Sequence, residues 1–204
     1  MIKNDCQREI IGFLRRTRYN KSKSGEKQEG KDMEFNDVLA LRKSMRNYKA
    51  DPVSKESEEE MLKAAMASSV GKHNDAGYTI VVVRNKEILE MIKKEEKEKT
   101  GNGDPLFKAP LLFIICKTKE AVDYLMHFDA GIIAEHIHLK AAELGLGSVI
   151  LFGFIRHLGE DAEYIKMLDL PEGTLPLLAV AVGHAPGSDV KRKEDRHFQV
   201  ISRD

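Results

Sequence analysis

Four short apolar runs constrain this chain more than anything else in it: Tyr78–Arg84, Pro110–Lys117, Ser148–Phe152 and Leu175–Gly183. Each is rich in Val, Ile, Leu or Phe and almost unbroken, the pattern of a strand covered on both faces. All are far too short to span a bilayer. Between them lie segments of helical spacing. Phe35, Val38 and Leu39 predict a helix ending near Ser44. Ser54 or Ser57, followed by Glu58–Glu60, predicts a second running to about Val70. Lys86–Lys99 turns Ile88, Leu89 and Ile92 inward, and Glu160–Leu168 predicts a further helix. Asp129–Gly145 is the most apolar helical segment, with Asp129 as a plausible N-cap and Gly145 or Gly147 as its stop. A helix so apolar must be buried nearly all round, in a core or between subunits. The alternation of Phe198, Val200 and Ile201 suggests an edge strand. Strands and helices alternate without internal repeat, so the class is α/β or α+β.

The 204 residues are enough for one domain with a sizeable core. Lys plus Arg number 33 and so do Asp plus Glu, which argues against a dedicated nucleic-acid binder. The balance is uneven, however. Residues 1–32 carry nine basic side chains and five acidic ones, a net charge of +4 that leaves −4 for residues 33–204. Residues 19–31 have no apolar periodicity and read as a linker. Residues 1–32 are therefore expected to be a basic flexible extension to a body at 33–204. Two cysteines, Cys6 and Cys116, make no disulfide framework, and Cys116 reads as a buried reduced thiol of a cytoplasmic protein.

Three segments could carry chemistry. Arg42-Lys43-Ser44-Met45-Arg46 places three cations and a hydroxyl within five residues, enough to clamp a phosphate. Taken alone, the pentapeptide is better explained as cations complementing a helix C-terminus. Gly71-Lys72-His73-Asn74 is a polar turn before a core strand, and Asn74 could meet the imide edge of a heterocycle; an ordinary Asn/Gly turn is the simpler reading. Gly145-Leu146-Gly147-Ser148 with Phe152-Gly153-Phe154 is not a dinucleotide fingerprint, because its G-x-G closes a helix and precedes a strand. Gly101-Asn102-Gly103 follows a charged helix and reads as a plain loop. His136 and His138 are two apart on a helix and face different ways, so joint metal binding is disfavoured. No metal site is expected.

In order along the chain these segments resemble the nitroreductase family of FMN-dependent NAD(P)H oxidoreductases, over nearly all of residues 33–201. Leu41-Arg42-Lys43-Ser44-Met45-Arg46-Asn47-Tyr48 is similar to the family's opening R-[RK]-S-x-R-x-[YF] signature. Asp51-Pro52-Val53, Asn74 before the Tyr78 strand, Lys108-Ala109-Pro110 and Asp129-Ala130-Gly131 follow in the family's order. So do Ala141 to Ser148, Leu170 to Gly173 and Ala181 to Pro186.

The resemblance implies an α+β fold with a central mixed sheet wrapped by helices, in an intertwined homodimer whose C-terminal segment crosses to the partner. It implies FMN at the dimer interface. Arg42, Lys43, Ser44 and Arg46 would hold the phosphate and the flavin's polar edge, and Asn74 the pyrimidine side. The backbone at Phe152 and Gly153 would approach N5 and O4, and Arg196, with Lys193, would be a second phosphate contact. NADH or NADPH would deliver hydride to flavin N5 and be replaced by a nitroaromatic, quinone or similar small acceptor, a ping-pong cycle with no catalytic side chain. Neither nucleic acid nor membrane enters. The alternative is a flavin-binding sensor or carrier without general reductase turnover. Many members carry P-S before the Asn and Q-P-W after it, where this chain has Val70-Gly71 and Ala76-Gly77-Tyr78. That departure points to a looser flavin site or a different acceptor. Tyr124, His127 and Phe128 are substrate candidates in a short lid, with plain packing the stronger reading.

Overall fold

The four apolar runs become strands β1 (Tyr78–Val83), β2 (Leu111–Lys117), β3 (Gly147–Leu151) and β4 (Leu175–Gly183), in a computed structural model that describes residues 33–187 and 198–203. They form one sheet in the order β1-β2-β4-β3. Every neighbouring pair is antiparallel. The α+β class is as expected, but the sheet does not mix strand directions. Its neighbours run antiparallel because the chain doubles back between them: Val83 at the end of β1 lies opposite Leu112 at the start of β2. Among the described residues the one isolated parallel pairing is a single bridge, Ser44 to Ser148.

Helices cover both faces. α1 (Phe35–Leu41), α2 (Lys55–Met66), α3 (Lys86–Thr100), α4 (Met126–Glu143), α5 (Gly153–Leu158) and α6 (Glu163–Met167) follow in chain order. Leu112, Ile114 and Cys116 of β2 pack with Ile88, Leu89 and Ile92 of α3, and with Phe154 and Tyr164. Leu111, Phe113 and Ile115 turn the other way, onto Met61 and Ala65 of α2 and Ile133, Ala134, Ile137 and Ala141 of α4. Period-two alternation thus divides one continuous apolar run between two cores.

Local chemistry sets the helix ends. Ser54 caps α2 by accepting from the Ser57 amide at 3.1 Å. Asn85 caps α3 through the Glu87 amide at 2.8 Å, and Gly101 ends it with φ at 71°. α1 stops at Leu41 instead of reaching Ser44, because Arg42 leaves the helix with ψ at 118° and the next residues join β3. α4 begins three residues before Asp129, so Asp129 is not its cap; the carboxylate is turned to other partners described below. The helix expected over 160–168 is the shorter α6. The C-terminal edge strand is not formed: Phe198, Val200 and Ile201 are 80%, 82% and 69% exposed. Alternation puts side chains on one face, but a strand also needs a ladder partner, and no described strand pairs with these residues. Residues 1–32 lie outside the described residues.

Burial pushes the Cys116 thiol up to about 12, and the Tyr48 and Tyr164 hydroxyls are raised chiefly by burial too. An acid whose folded pKa is raised holds its proton in the folded state where the unfolded chain has lost it. Stability is therefore fully present below the unfolded thiol's value, about 8.5, and falls as pH rises from there toward 12. Denaturant midpoints measured from pH 8 to pH 11 should decline steadily. Cys116→Ser should flatten that decline; an unchanged slope would remove Cys116 as a cause.

Candidate functional site

The cationic segment is held to the sheet by its backbone. Beyond α1, the Met45 amide donates to the Ser148 carbonyl at 2.9 Å, where Ser44 bridges Ser148. The Tyr48 hydroxyl donates to the Met45 carbonyl at 2.7 Å, and the Lys49 amide donates to the His184 carbonyl at 3.0 Å. The Met45 side chain packs directly over Gly147, where an added Cβ would push the Met45 sulfur aside. The peptide is thereby fixed in an extended form that leaves Ser44 and Arg46 exposed and Lys43 half-buried.

Arg42 is largely enclosed, its side chain 15% exposed. Its Nε lies 3.3 Å from a Glu135 carboxylate oxygen on α4, and one terminal nitrogen donates to His138 Nε2 at 3.0 Å. His138 is itself 2% exposed, and its Nδ1 lies 2.5 Å from the Ser148 hydroxyl. A guanidinium can only donate, so Nε2 must be the accepting nitrogen and the proton sits on Nδ1. Arg42, Lys43, Met45, His138, Gly147 and Ser148 border a cavity of about 90 Å³.

Phe152 and Gly153 stand at the opposite end of β3. Four rises of ~3.3 Å separate the strand's ends, roughly 13 Å. Phe152 is 47% exposed. A Cβ on Gly153 would find only the His157 ring, at 3.8 Å, so the backbone there is open. Next to it is a hollow of about 450 Å³ lined by Glu96, Asn102, Asp104, Phe107, Gly153 and Phe154. The loop expected to be plain, at Gly101-Asn102-Gly103 and beyond, is thus part of the wall of this hollow. The Asp104 carboxylate accepts from the Leu106 amide at 2.8 Å and the Lys108 amide at 2.7 Å. Phe107 and Lys108 take positive φ, at 55° and 67°. An Asp ahead of Pro105 was the available signal, since Asp bonds readily to amides two residues on. At the hollow's wall, buried Glu96 meets His157 Nδ1 at 2.8 Å, a contact between residues 61 apart.

Asn74 lies just before β1, on the far side of the sheet. Three strand spacings of ~4.8 Å, roughly 14 Å, part β1 from β3. The Asn74 amide nitrogen donates to the Glu120 carbonyl at 2.7 Å, which ties its turn to the segment before α4. Gly77 must be small here, since a Cβ would lie 2.8 Å from that amide and 3.1 Å from the Ala121 Cα. Lys72 and His73 are left-handed, with φ at 58° and 53°. The Lys72 ammonium sits 5.3 Å from the centre of the Tyr124 ring. His127 and Phe128, in the first turn of α4, are exposed, as is Tyr124. The other side of that turn holds Asp129, 4% exposed. Its carboxylate accepts from the Gly71 amide at 3.1 Å and from the Tyr78 hydroxyl at 2.7 Å.

One chain therefore brings Arg42, Lys43, Ser44 and Arg46 together at one end of β3 and puts Phe152 and Gly153 at the other. Asn74 and the three lid residues lie by β1. Arg196 and Lys193 fall outside the described residues.

Residues 39–184 match the model of the nitroreductase family. FMN reductase [NAD(P)H] of Bacillus subtilis (strain 168) is 28% identical over 174 residues, covering 76% of this chain and 67% of that protein. The structure of an FMN-dependent nitroreductase from Clostridium difficile R20291 aligns with a TM-score of 0.65 at 29% identity, over 81% of this chain and 99% of that one. A nitroreductase with bound FMN from Desulfitobacterium hafniense DCB-2 aligns with a TM-score of 0.72 at 21% identity, over 82% and 98%. At that identity the likeness shows the fold.

Proposed function

The chain belongs to the nitroreductase family, and from that premise we propose that it is an FMN-dependent oxidoreductase taking hydride from NADH or NADPH. The acceptor in this reading is a nitroaromatic, quinone or similar small molecule, reduced after the nicotinamide has left. The observation that carries the reading is the cationic segment pinned to β3. Among the described residues Arg42 pairs with the Glu135 carboxylate and donates one N–H to His138; its remaining guanidinium donors, with Lys43 and the exposed Ser44 and Arg46 beside them, are available to an anion in this reading. That donor set suits a phosphate monoester.

The remaining parts suit a flat ring. The open backbone at Gly153 allows close approach, and the adjoining hollow carries Phe107 and Phe154 among its walls. Asn74, whose amide nitrogen is already committed to Glu120, offers its carbonyl oxygen to an N–H on a ring edge. Bound FMN would supply the two-electron chemistry. The chain's own residues would anchor the phosphate, orient the ring and hold an electron acceptor, with Tyr124, His127 and Phe128 as candidates for that last contact. Arg196 is proposed as a further phosphate contact.

We place the site between two copies of the chain. A single copy separates Asn74 from the Arg42 segment by the width of the sheet. It also exposes apolar side chains on α1 and α4: Phe35 at 65%, Leu39 at 43%, Phe128 at 71% and Ile132 at 37%. A homodimer burying them would let one copy's Asn74 face the other copy's cations. In this proposal residues 33–204 are the FMN-binding body and residues 1–32 a basic extension. No described helix is long and apolar enough to cross a membrane. The free buried thiol of Cys116 suits a cytoplasmic setting.

Purified protein should be yellow, with one FMN per chain. Under anaerobic conditions NADH or NADPH should bleach the flavin, and a nitroaromatic should restore the colour. A colourless protein without FMN affinity would overturn the reading. Bound flavin that neither nicotinamide reduces would replace it with a flavin-binding sensor or carrier.

A further inference from the structure

The buried His138 lies outside every segment that the family signature picks out, yet it touches Arg42, a largely enclosed cation of the candidate site. We propose that His138 is a positioning residue: in its neutral Nδ1–H form it accepts from Arg42 and donates to Ser148, and so holds the guanidinium ready for a phosphate. The inference rests on the reading of Arg42 as a phosphate ligand.

Three observations converge on it. First, the contacts form one chain: Arg42 to His138 Nε2 at 3.0 Å, and His138 Nδ1 to the Ser148 hydroxyl at 2.5 Å. Second, Ser148 is the residue whose carbonyl receives the Met45 amide, so the backbone and the side chain of one residue fix both ends of the cationic segment. Third, His138 is 2% exposed, so its ring is held by its surroundings, whereas Glu135, the other partner of Arg42, has a side chain 43% exposed. An exposed ion pair is weak and gives little direction. A neutral acceptor in a closed site fixes the guanidinium without cancelling its charge. An arginine left to sample its rotamers would spend entropy on ligand binding that His138 has already removed.

The two ring nitrogens can be tested one at a time. Glutamine carries a polar group near the Nε2 position and asparagine near Nδ1. His138→Gln should preserve the acceptor for Arg42, while His138→Asn should preserve the Ser148 contact and lose Arg42. FMN affinity is read by quenching of flavin fluorescence on the full-length protein, with thermal melting run alongside. Expected are near wild-type affinity for His138→Gln and a loss of about five- to thirty-fold for His138→Asn, the factor that about 1–2 kcal/mol of lost positioning gives. In an Arg42→Ala background the two His138 variants should bind alike, because the residue acts through Arg42.

Equal affinity of the two variants in the parent protein would overturn the inference, as would a loss that persists without Arg42. If Arg42→Ala alone leaves FMN binding unchanged, the phosphate role of Arg42 fails, and that of His138 with it. A loss in Arg42→Ala with equal His138 variants would sink only the His138 inference.

Discussion

Asp129→Ala should lower the unfolding free energy by about 3 kcal/mol, seen as an earlier denaturant midpoint with an unchanged slope. The carboxylate is 4% exposed and accepts from both the Gly71 amide and the Tyr78 hydroxyl. Hydrogen bonds to a charged acceptor contribute more than neutral ones, and alanine would leave two donors in a half-buried place with no acceptor. Its position in the first turn of α4 adds a favourable interaction with the helix dipole, which is lost as well. Asp129→Asn keeps one acceptor oxygen and should lose roughly half as much. A loss under about 0.5 kcal/mol for the alanine variant would mean that water replaces the carboxylate freely. The same change should loosen the Gly71–Asn74 turn, so FMN affinity should fall along with stability.

Phe113→Ala should cost about 4 kcal/mol, the usual range for deleting a buried aromatic ring. Phe113 has no exposed surface and sits in the middle of β2, opposite Val82 on one side and Val180 on the other. Its neighbours belong to the two flanking strands and to α2 and α4, which the sheet and the packed core hold in place, so they collapse little into the space left behind. For a chain of this size the melting temperature should drop by roughly 10 °C. Lys94→Ala, on the exposed side of α3, should stay within about 0.5 kcal/mol and serves as the control. A Phe113→Ala loss below about 1.5 kcal/mol would show that the core rearranges around the gap.

The parts of the fold that could be read from sequence were those whose signals are local. β4 was readable to the residue, because its apolar run is bounded by Gly173 and His184. The start of α2 was readable to within one turn, as Ser54 or Ser57 ahead of an acidic run, and the structure selects Ser54 as the cap. α4 was misplaced by three residues for the same reason in reverse. Asp129 looks like a cap, and nothing in sequence tells that its carboxylate is taken by Gly71 and Tyr78, 58 and 51 residues away. Strand direction was equally out of reach, because it depends on how the chain returns between β1 and β2.

The candidate site divided along the same line. Arg42, Lys43, Ser44 and Arg46 are adjacent, so their grouping survived folding. The opposite facing of His136 and His138 followed from helical geometry alone: one bonds the Ala64 carbonyl and the other Ser148. The partnership of His138 with Arg42 spans 96 residues and could not be foreseen. Nor could the hollow beside Gly153, whose wall joins α3, the loop after it and the start of α5.

The bond between the Met45 amide and the Ser148 carbonyl has a consequence for redesign. It is made by main-chain atoms, so the anchor does not depend on which side chains flank it. Residues 43, 44 and 46 can be exchanged like tools in a fixed handle. If the segment holds a phosphate as proposed, its anion preference could be retuned there while the sheet and its two cores stay as they are.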